Sequence, residues 1–456
     1  MKLNIRNKIL ETSVNNIIKK KFLGNCLVKG WVKTKRDSKI GLSFIQINDG
    51  SCLDNLQVIA KASLNNYEEI KKITPGCSII AQGCTIKSIG KNQSIELQAK
   101  NIVIVDAIKN KSKYPIQPKY HTLEYLRSIP HLRNKTNIFG SINRIRSKTS
   151  YLFHKFFHDN SFFLINTPII TSNDCEGGGS LFSLNTKEKS NFFNKEAFLT
   201  VSGQLHLEAF ALSMTKVYTF GPTFRAENSN TARHLSEFWM LEAEIAFFNM
   251  SEIIKFIEKM LRYIIQNIIK ECEDDLIFTR NYSAKKKTCK LEKLIDFDLM
   301  KLEYSEAIEI LKKNNHNFLY PVKWGIDLQK EHEIYLTDIV FKKPLILLNF
   351  PQYIKSFYMK LNSDNKTVRS FDILFPGVGE VIGGSEREDN LEKINKRIVY
   401  DKIKSDIDWY LDLRRYGSAP HSGFGLGLER FISYITNIQN VRDVIPFPRS
   451  TGNIYH

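Results

Sequence analysis

The chain has 456 residues, with 66 Lys and Arg against 48 Asp and Glu, and a formal net charge of +18. At ~150 residues per domain this length predicts two or three domains with ample core, and it excludes a peptide hormone or a disulfide-knotted miniprotein. A field of this sign suits a polyanion such as nucleic acid or an anionic membrane surface. No apolar run approaches the ~20 residues of a membrane span, and the opening MKLNIRNKIL lacks the apolar stretch of a secretory signal, so a cytoplasmic chain with no membrane attachment is expected. The seven cysteines are odd in number and never form C-x-x-C, which predicts reduced thiols, with neither a disulfide framework nor a structural zinc site.

In chain order, the first third reads as strands: 26–34, 42–47, 55–60, 77–84 and 94–105. The Asn48-Asp49-Gly50 turn follows the second run, and 61–72 reads as a helix between the third and fourth. Three strands, a helix and two strands are the order of an OB-fold barrel, a common binder of single-stranded nucleic acid. The charge agrees. Residues 1–106 hold 17 Lys and Arg against 8 Asp and Glu, and 107–135 hold 7 against 1, so +15 of the +18 lies in the first 135 residues. A solvated lysine-rich surface is the plainer explanation of the same numbers. Only 18 of the 66 basic residues are Arg, which makes each Arg more informative, since its planar fork does what Lys cannot.

Residues 107–135, with Pro115 and Pro118, read as a linker or hinge between a domain at 1–106 and a larger one at 136–456. The larger domain mixes helices at 141–160 and 251–269 with strands at 217–225, 237–248 and 371–382, an α+β pattern. Strand alternation puts Phe238, Met240, Glu242 and Glu244 on one face and Trp239, Leu241, Ala243 and Ile245 on the core face. Two carboxylates beside an aromatic and a methionine suit a cationic or amide-bearing ligand, although an amphipathic edge strand explains this segment equally well. In PHSGFGLGLERFISYI (420–435), Gly423, Gly425 and Gly427 recur at period two ahead of Arg430. They leave one strand face bare for a flat ligand, with Arg430 in reach of a phosphate. The pattern is not G-x-G-x-x-G, so a Rossmann fold is disfavoured. Asp372 and Glu380, near a glycine-rich strand end, would suit Mg²⁺ beside phosphates.

Together these stretches resemble the active-site motifs of the class II aminoacyl-tRNA synthetases: a motif of the form FRxE in a strand-loop-strand unit, and a GxGxxR-type strand-helix unit. Within them the chain resembles subgroup IIb, with its N-terminal OB anticodon-binding domain, and there the bacterial asparaginyl-tRNA synthetases. The segments that carry the likeness are SNDCEGGGSLF (172–182), FLTVSGQL (198–205), FRAENSNTARHLSEFWMLEAE (224–244), VGEVIGGSERED (378–389), WYLDLRRYGSAPHSGFGLGLERF (409–431) and NVRDVIPFPRSTGN (440–453). They span essentially the whole chain.

The resemblance implies an antiparallel catalytic sheet flanked by helices. It implies that L-asparagine is activated with ATP to asparaginyl-adenylate and pyrophosphate, then transferred to the 3′ end of tRNA(Asn), by a homodimer whose interface motif includes Pro168. By likeness, Arg225 meets the α-phosphate, Glu227 the adenine amino group, Phe238 the adenine ring and Arg430 the γ-phosphate. His234 also contacts ATP, and Asp372 with Glu380 binds Mg²⁺. Arg225, Glu380 and Arg430 form the catalytic set. Glu176, Ser202 and Gln204 match amino-acid-binding positions, and Arg36, Phe44 and Gln57 match anticodon-reading positions.

Asparagine and aspartate are nearly isosteric, so the site must read NH₂ against O⁻. By the same resemblance, Arg387 is expected to donate to the amide oxygen and Glu242 to accept from the amide nitrogen, while Leu207 stands where the matching segment of the aspartyl enzymes ends in a lysine. Ser180, His206 and Glu386 depart from the pattern, Glu386 by adding charge beside Arg387. An aspartyl enzyme, a silent tRNA-binding paralogue and a tRNA-independent amino-acid ligase are the alternatives. Leu207 argues against the first, the presence of Arg225, Glu380 and Arg430 against the second, and the basic OB-like third against the last.

Overall fold

Alternation along the N-terminal third has the predicted effect: Cys26, Val28 and Val32 turn inward while Lys29 and Trp31 remain exposed. The strands are β1 (Leu10–Glu11), β2 (Gly24–Ser38), β3 (Leu42–Asn48), β4 (Leu56–Lys61), β5 (Ser78–Lys87) and β6 (Ile95–Asp106). Their order is β1-β2-β3-β4-β6-β5, and a further β2–β5 pairing closes the five long strands into a barrel. Its interior is filled by Val28, Ile45, Val58, Ile79 and Leu97, with Val14 and Ile17 from the helix Val14–Lys20. The helix expected over 61–72 shrinks to Tyr67–Ile70. Lys61 still belongs to β4 and the Ala62 amide donates to the Gly41 carbonyl at 2.8 Å, so the sheet claims the start of that segment.

This is a computed structural model, and it describes residues 10–90, 93–173, 181–185, 192–229, 231–282, 299–401 and 407–454. Chain contacts divide it into two compact units, Met1–Ser141 and Ile142–His456. Residues 107–135 contain a single 3-10 turn, Lys111–Lys113, and the short helices Leu123–Ser128 and Pro130–Arg133.

The second unit is built on β7 (Phe163–Leu164), β8 (Ile170–Thr171), β9 (Phe198–Leu199), β10 (Lys216–Phe224), β11 (Glu237–Ala246), β12 (Met300–Glu303), β13 (Leu345–Leu348), β14 (Ser370–Phe375), β15 (Gly379–Glu386) and β16 (His421–Gly427). Eight of these form one sheet in the order β12-β13-β14-β15-β16-β11-β10-β7, antiparallel except for the two end pairs. The single strand expected over 371–382 is a hairpin instead. Pro376 has no amide to donate to a ladder, and Gly377 and Gly379 take φ of +76° and +87°, turning β14 into β15. Helix Leu428–Thr436 packs on β11, β15 and β16. Helix Met250–Glu271, started by a capping box between Asn249 and Glu252, buries Ile253, Ile257, Leu261, Ile264 and Ile268 and touches β16. Among the described residues, no helix is long and apolar enough to cross a membrane. Cys26, Cys52, Cys77, Cys84 and Cys272 carry thiols outside any disulfide, while Cys175 and Cys289 lie outside the described residues.

Candidate nucleotide and amino-acid site

The three central strands β11, β16 and β15 pair so that Met240 faces Gly427, Glu242 faces Gly425, and Gly425 in turn faces Gly383. With no side chains on those glycines, the sheet has a bare floor. Above it lies a pocket lined by Arg225, Glu227, Arg233, His234, Phe238, Met240, Glu380, Gly425, Gly427 and Arg430. All six residues expected at ATP therefore share one pocket, although Arg225 and Arg430 come from opposite ends of the catalytic unit. Arg225 directly follows β10 and its amide donates to the Ser236 carbonyl at 3.0 Å, which ties the two ends of the 225–236 loop together. Its guanidinium lies 5.5 Å from the Phe238 ring centroid. The His234 ring nitrogen Nδ1 bonds to Ser229 Oγ at 2.8 Å and Thr231 Oγ1 at 2.7 Å. Burial, then the positive charges of Arg430, Arg233 and Arg225, hold its imidazole below the usual 6.5 against the pull of Glu227.

Two of the pocket's cations, and Lys355 beside it, are paired with carboxylates. Arg430 donates to the Glu380 carbonyl at 2.9 Å and lies 3.2 Å from its Oε2. Arg233 pairs with Glu333 at 3.0 Å, and Lys355 with Asp372 at 2.6 Å. Burial pushes the Glu380 carboxyl up, but Arg430, Lys355, Arg225 and Arg233 outweigh it and hold it below the usual range. Asp372 is raised, first by burial and then by the like charge of Glu380, with Lys355 opposing. A Cβ at Gly383 would lie 3.3 Å from Glu380 Oε1 and 3.4 Å from Asp372 Oδ1, so the two carboxylates border one small space over a bare residue. That donor set fits Mg²⁺, which takes one or two carboxylates and completes its shell with phosphate oxygens and water. Among the described residues no group of three or more His, Cys, Asp and Glu is arranged to hold a metal unaided.

Farther along the same sheet lies the expected amino-acid end. Glu242 accepts from Ser202 Oγ and, at 2.9 Å, from the Gly203 amide, while Ser202 Oγ accepts from the Gln204 amide at 3.1 Å. Ser202, Gln204 and Glu242 thus form one hydrogen-bonded group; Glu176 and Ser180 lie outside the described residues. The carboxylate on Arg387 belongs to Glu244, which takes its Nη2 and, at 3.2 Å, its Nε; Nη1 donates to Ser385 Oγ at 2.5 Å. Behind them Glu208 accepts from Tyr410 Oη at 2.7 Å, Arg414 at 2.8 Å and Gln204 Nε2 at 3.1 Å, and bonds His421 at 2.9 Å. Burial would raise the Glu208 carboxyl, but Arg414, His421 and Arg387 overcome that and hold it well below its usual 4.5.

The surroundings of Leu207, Glu386 and His206 are also defined. Leu207 is fully buried in an apolar cluster with Ala211 and Val217, so its size serves packing. Glu386 turns to Arg369 at 2.9 Å and Lys360 at 3.4 Å, which neutralises the charge expected to disturb Arg387. His206 stacks on Trp409, with ring centroids 5.3 Å apart. In the barrel, Arg36, Phe44 and Gln57 line one open groove with Lys35, Gln46 and Lys61. Arg36 faces Phe44 across the β2–β3 pair, its guanidinium 5.2 Å from the ring centroid, and Gln57 faces Gln46 across β3–β4.

Residues 123–451 match the family model for tRNA synthetases class II (D, K and N), and residues 26–105 match that for the OB-fold nucleic acid binding domain. The chain belongs to the class II tRNA synthetases of the D, K and N group. It is 49% identical over 442 residues to an asparagine–tRNA ligase from Legionella pneumophila, covering 93% of this chain and 95% of that protein. It is 48% identical over 461 residues to one from Borreliella afzelii, covering 97% and 99%. Its fold matches the asparaginyl-tRNA synthetase of Pyrococcus horikoshii in complex with asparaginyl-adenylate, with a TM-score of 0.87 and 30% identity over 98% of this chain and 99% of the other. The corresponding Entamoeba histolytica complex gives a TM-score of 0.84 at 27% identity, covering 98% and 99%.

For a synthetase of this class, sequence reading missed Arg233, Glu333, Lys355 and Glu208. Arg233 sits next to His234 in a stretch already singled out. The other three carry no local signal, because Glu208, Glu333 and Lys355 lie outside every motif that the sequence offers.

Proposed function

We propose that this chain activates L-asparagine with ATP and charges tRNA bearing the asparagine anticodon. In the first step an asparagine carboxylate oxygen bonds to the α-phosphorus and the bond to pyrophosphate breaks. In the second the terminal 3′-OH of the tRNA attacks the aminoacyl carbonyl and AMP leaves. No protein nucleophile is needed: Arg225 at the α-phosphate and Arg430 at the γ-phosphate orient the triphosphate in line and stabilise the charge that develops at phosphorus. Phe238 stacks on the adenine, Glu227 accepts from its amino group, and His234, held neutral, closes on the nucleotide. Mg²⁺, held by Asp372 and Glu380, would neutralise phosphate charge. The observation that supports this reading best is the convergence of Arg225, Arg430 and Phe238 on one pocket above the glycine floor.

For the amino acid we assign Arg387 to the amide oxygen. Its pairing with Glu244 cancels its charge, so the side-chain end offers a hydrogen-bond donor without the net positive field that an aspartate would need. Both Glu242 oxygens already accept from Ser202 and Gly203, so we assign Glu242, with Ser202, Gln204 and Glu176, to the ammonium and carboxylate end. Residues 1–106 read the anticodon through Arg36, Phe44 and Gln57, Phe44 stacking on an unpaired base. Residues 107–135 serve as the hinge and 136–456 as the catalytic domain.

We further propose a cytoplasmic homodimer. Pro168 is exposed beside Ile169 and Ile170, and Phe163 and Leu164 expose apolar surface on β7 at the end of the sheet. The deciding experiment is amino-acid-dependent pyrophosphate exchange with asparagine and aspartate in parallel, followed by charging of tRNA(Asn). Exchange with asparagine alone is expected, and exchange with aspartate alone would overturn the assignment.

A further inference from the structure

Arg233 reaches the nucleotide pocket from the 225–236 loop, yet its partner lies elsewhere in the chain. Glu333 sits on the short helix Lys330–Ile334, ahead of a π-helical turn over Tyr335–Val340. Two carboxylates fasten this segment to the β14–β15 turn: Asp338 accepts from the Gly377 amide at 3.0 Å, and Glu333 Oε2 accepts from the Glu380 amide at 3.4 Å. Glycine at 379 makes the approach possible, since a Cβ there would overlap the Glu333 carboxylate. Arg233 and Glu333 then meet at 3.0 Å with side chains only 13% and 8% exposed. Arg233 Nε is buried and, among the described residues, has no hydrogen-bond partner, although the residue lines a pocket it shares with Arg225, Arg430 and His234. A guanidinium with one edge satisfied and the other unsatisfied beside a pocket of cations is arranged to receive an anion.

We propose that Glu333 competes with the terminal phosphates of ATP for Arg233, so that nucleotide binding exchanges one ion pair for another. This rests on the reading of the pocket as an ATP site. The competition applies to the polyphosphate and not to the nucleoside monophosphate, because Arg430, placed at the γ-phosphate end, is the pocket cation bound to the same Glu380 that Glu333 touches through its amide.

Calorimetric titration of the full chain with ATP and, separately, AMP in Mg²⁺ buffer without asparagine tests it. Glu333→Gln is expected to tighten ATP about fivefold, the scale of one partly screened ion pair, and to leave AMP unchanged. Arg233→Met should weaken ATP, and adding Glu333→Gln to it should recover little. If the glutamine variant does not fold, Glu333→Asp, which keeps the charge on a shorter arm, should tighten ATP in the same direction by a smaller factor. Unchanged ATP affinity, weaker ATP binding, or equal shifts for ATP and AMP would make Glu333 a structural prop and overturn the proposal. Failure of the unaltered protein to bind ATP would instead remove the pocket reading, and the proposal with it.

Discussion

Gly423→Ala isolates the contact between the sheet floor and the asparagine end. Gly423 pairs with Glu244 across β16 and β11, and a Cβ at 423 would overlap the Glu244 carboxylate, a group fixed by Arg387 and flanked by backbone. The backbone at 423 is ordinary strand, so alanine adds no conformational strain and its whole effect passes through Glu244. Displacing that carboxylate leaves Arg387, a 2%-exposed residue, without its main counter-charge. Breaking one side of a buried pair is worth roughly 3–5 kcal/mol. If the arginine swings away to find another partner, the asparagine KM in pyrophosphate exchange should rise a hundredfold or more, about 1.4 kcal/mol per factor of ten. The ATP KM should hold, because Gly423 is absent from the nucleotide-pocket lining. Gly221→Ala is the matched control, since a Cβ there meets nothing within 4 Å. An asparagine KM within twofold of the unaltered protein would refute the reasoning.

Arg225→Ala should lower the exchange rate by about 3–4 kcal/mol, a few hundredfold, as loss of a preorganised charge does, and leave the melting temperature in place; single-turnover adenylate formation reports it. Phe44→Ala should cost about 1–3 kcal/mol in tRNA charging efficiency while pyrophosphate exchange is unaffected, which separates anticodon reading from amino-acid activation. Glu208 gives a pH test: its folded carboxyl is held below the usual 4.5, so the unfolded chain takes up the proton first and stability falls as pH drops below about 4.5. The slope from this one group approaches about 1.4 kcal/mol per pH unit, and urea midpoints at pH 3.5–5 should lose that component in Glu208→Gln.

The barrel was legible because period-two alternation is a local signal, and its one misread element, the helix at 61–72, failed where sheet hydrogen bonding reached past Lys61. The 371–382 segment was misread for a related reason. Its apolar run continues through Pro376 and Gly377, and only the positive φ values there reveal that the chain doubles back. Arg225, Arg430 and Phe238 were legible because they lie in compact motifs, where chemistry and spacing are visible together. Glu333, Lys355 and Glu208 were not. Each acts through a partner distant in the chain, Arg233, Asp372 and Arg414 respectively, and such pairings exist only after folding.

Strand β16 carries Gly423 at Glu244 and Gly425 and Gly427 in the floor of the Arg225–Arg430 pocket, with Phe424 and Leu426 buried on its other face. A deletion or insertion of one residue in this strand would invert it, sending both aromatic and aliphatic bulk into the two substrate compartments at once. Point substitutions in β16 therefore act on one compartment at a time, whereas a change in its length acts on both together.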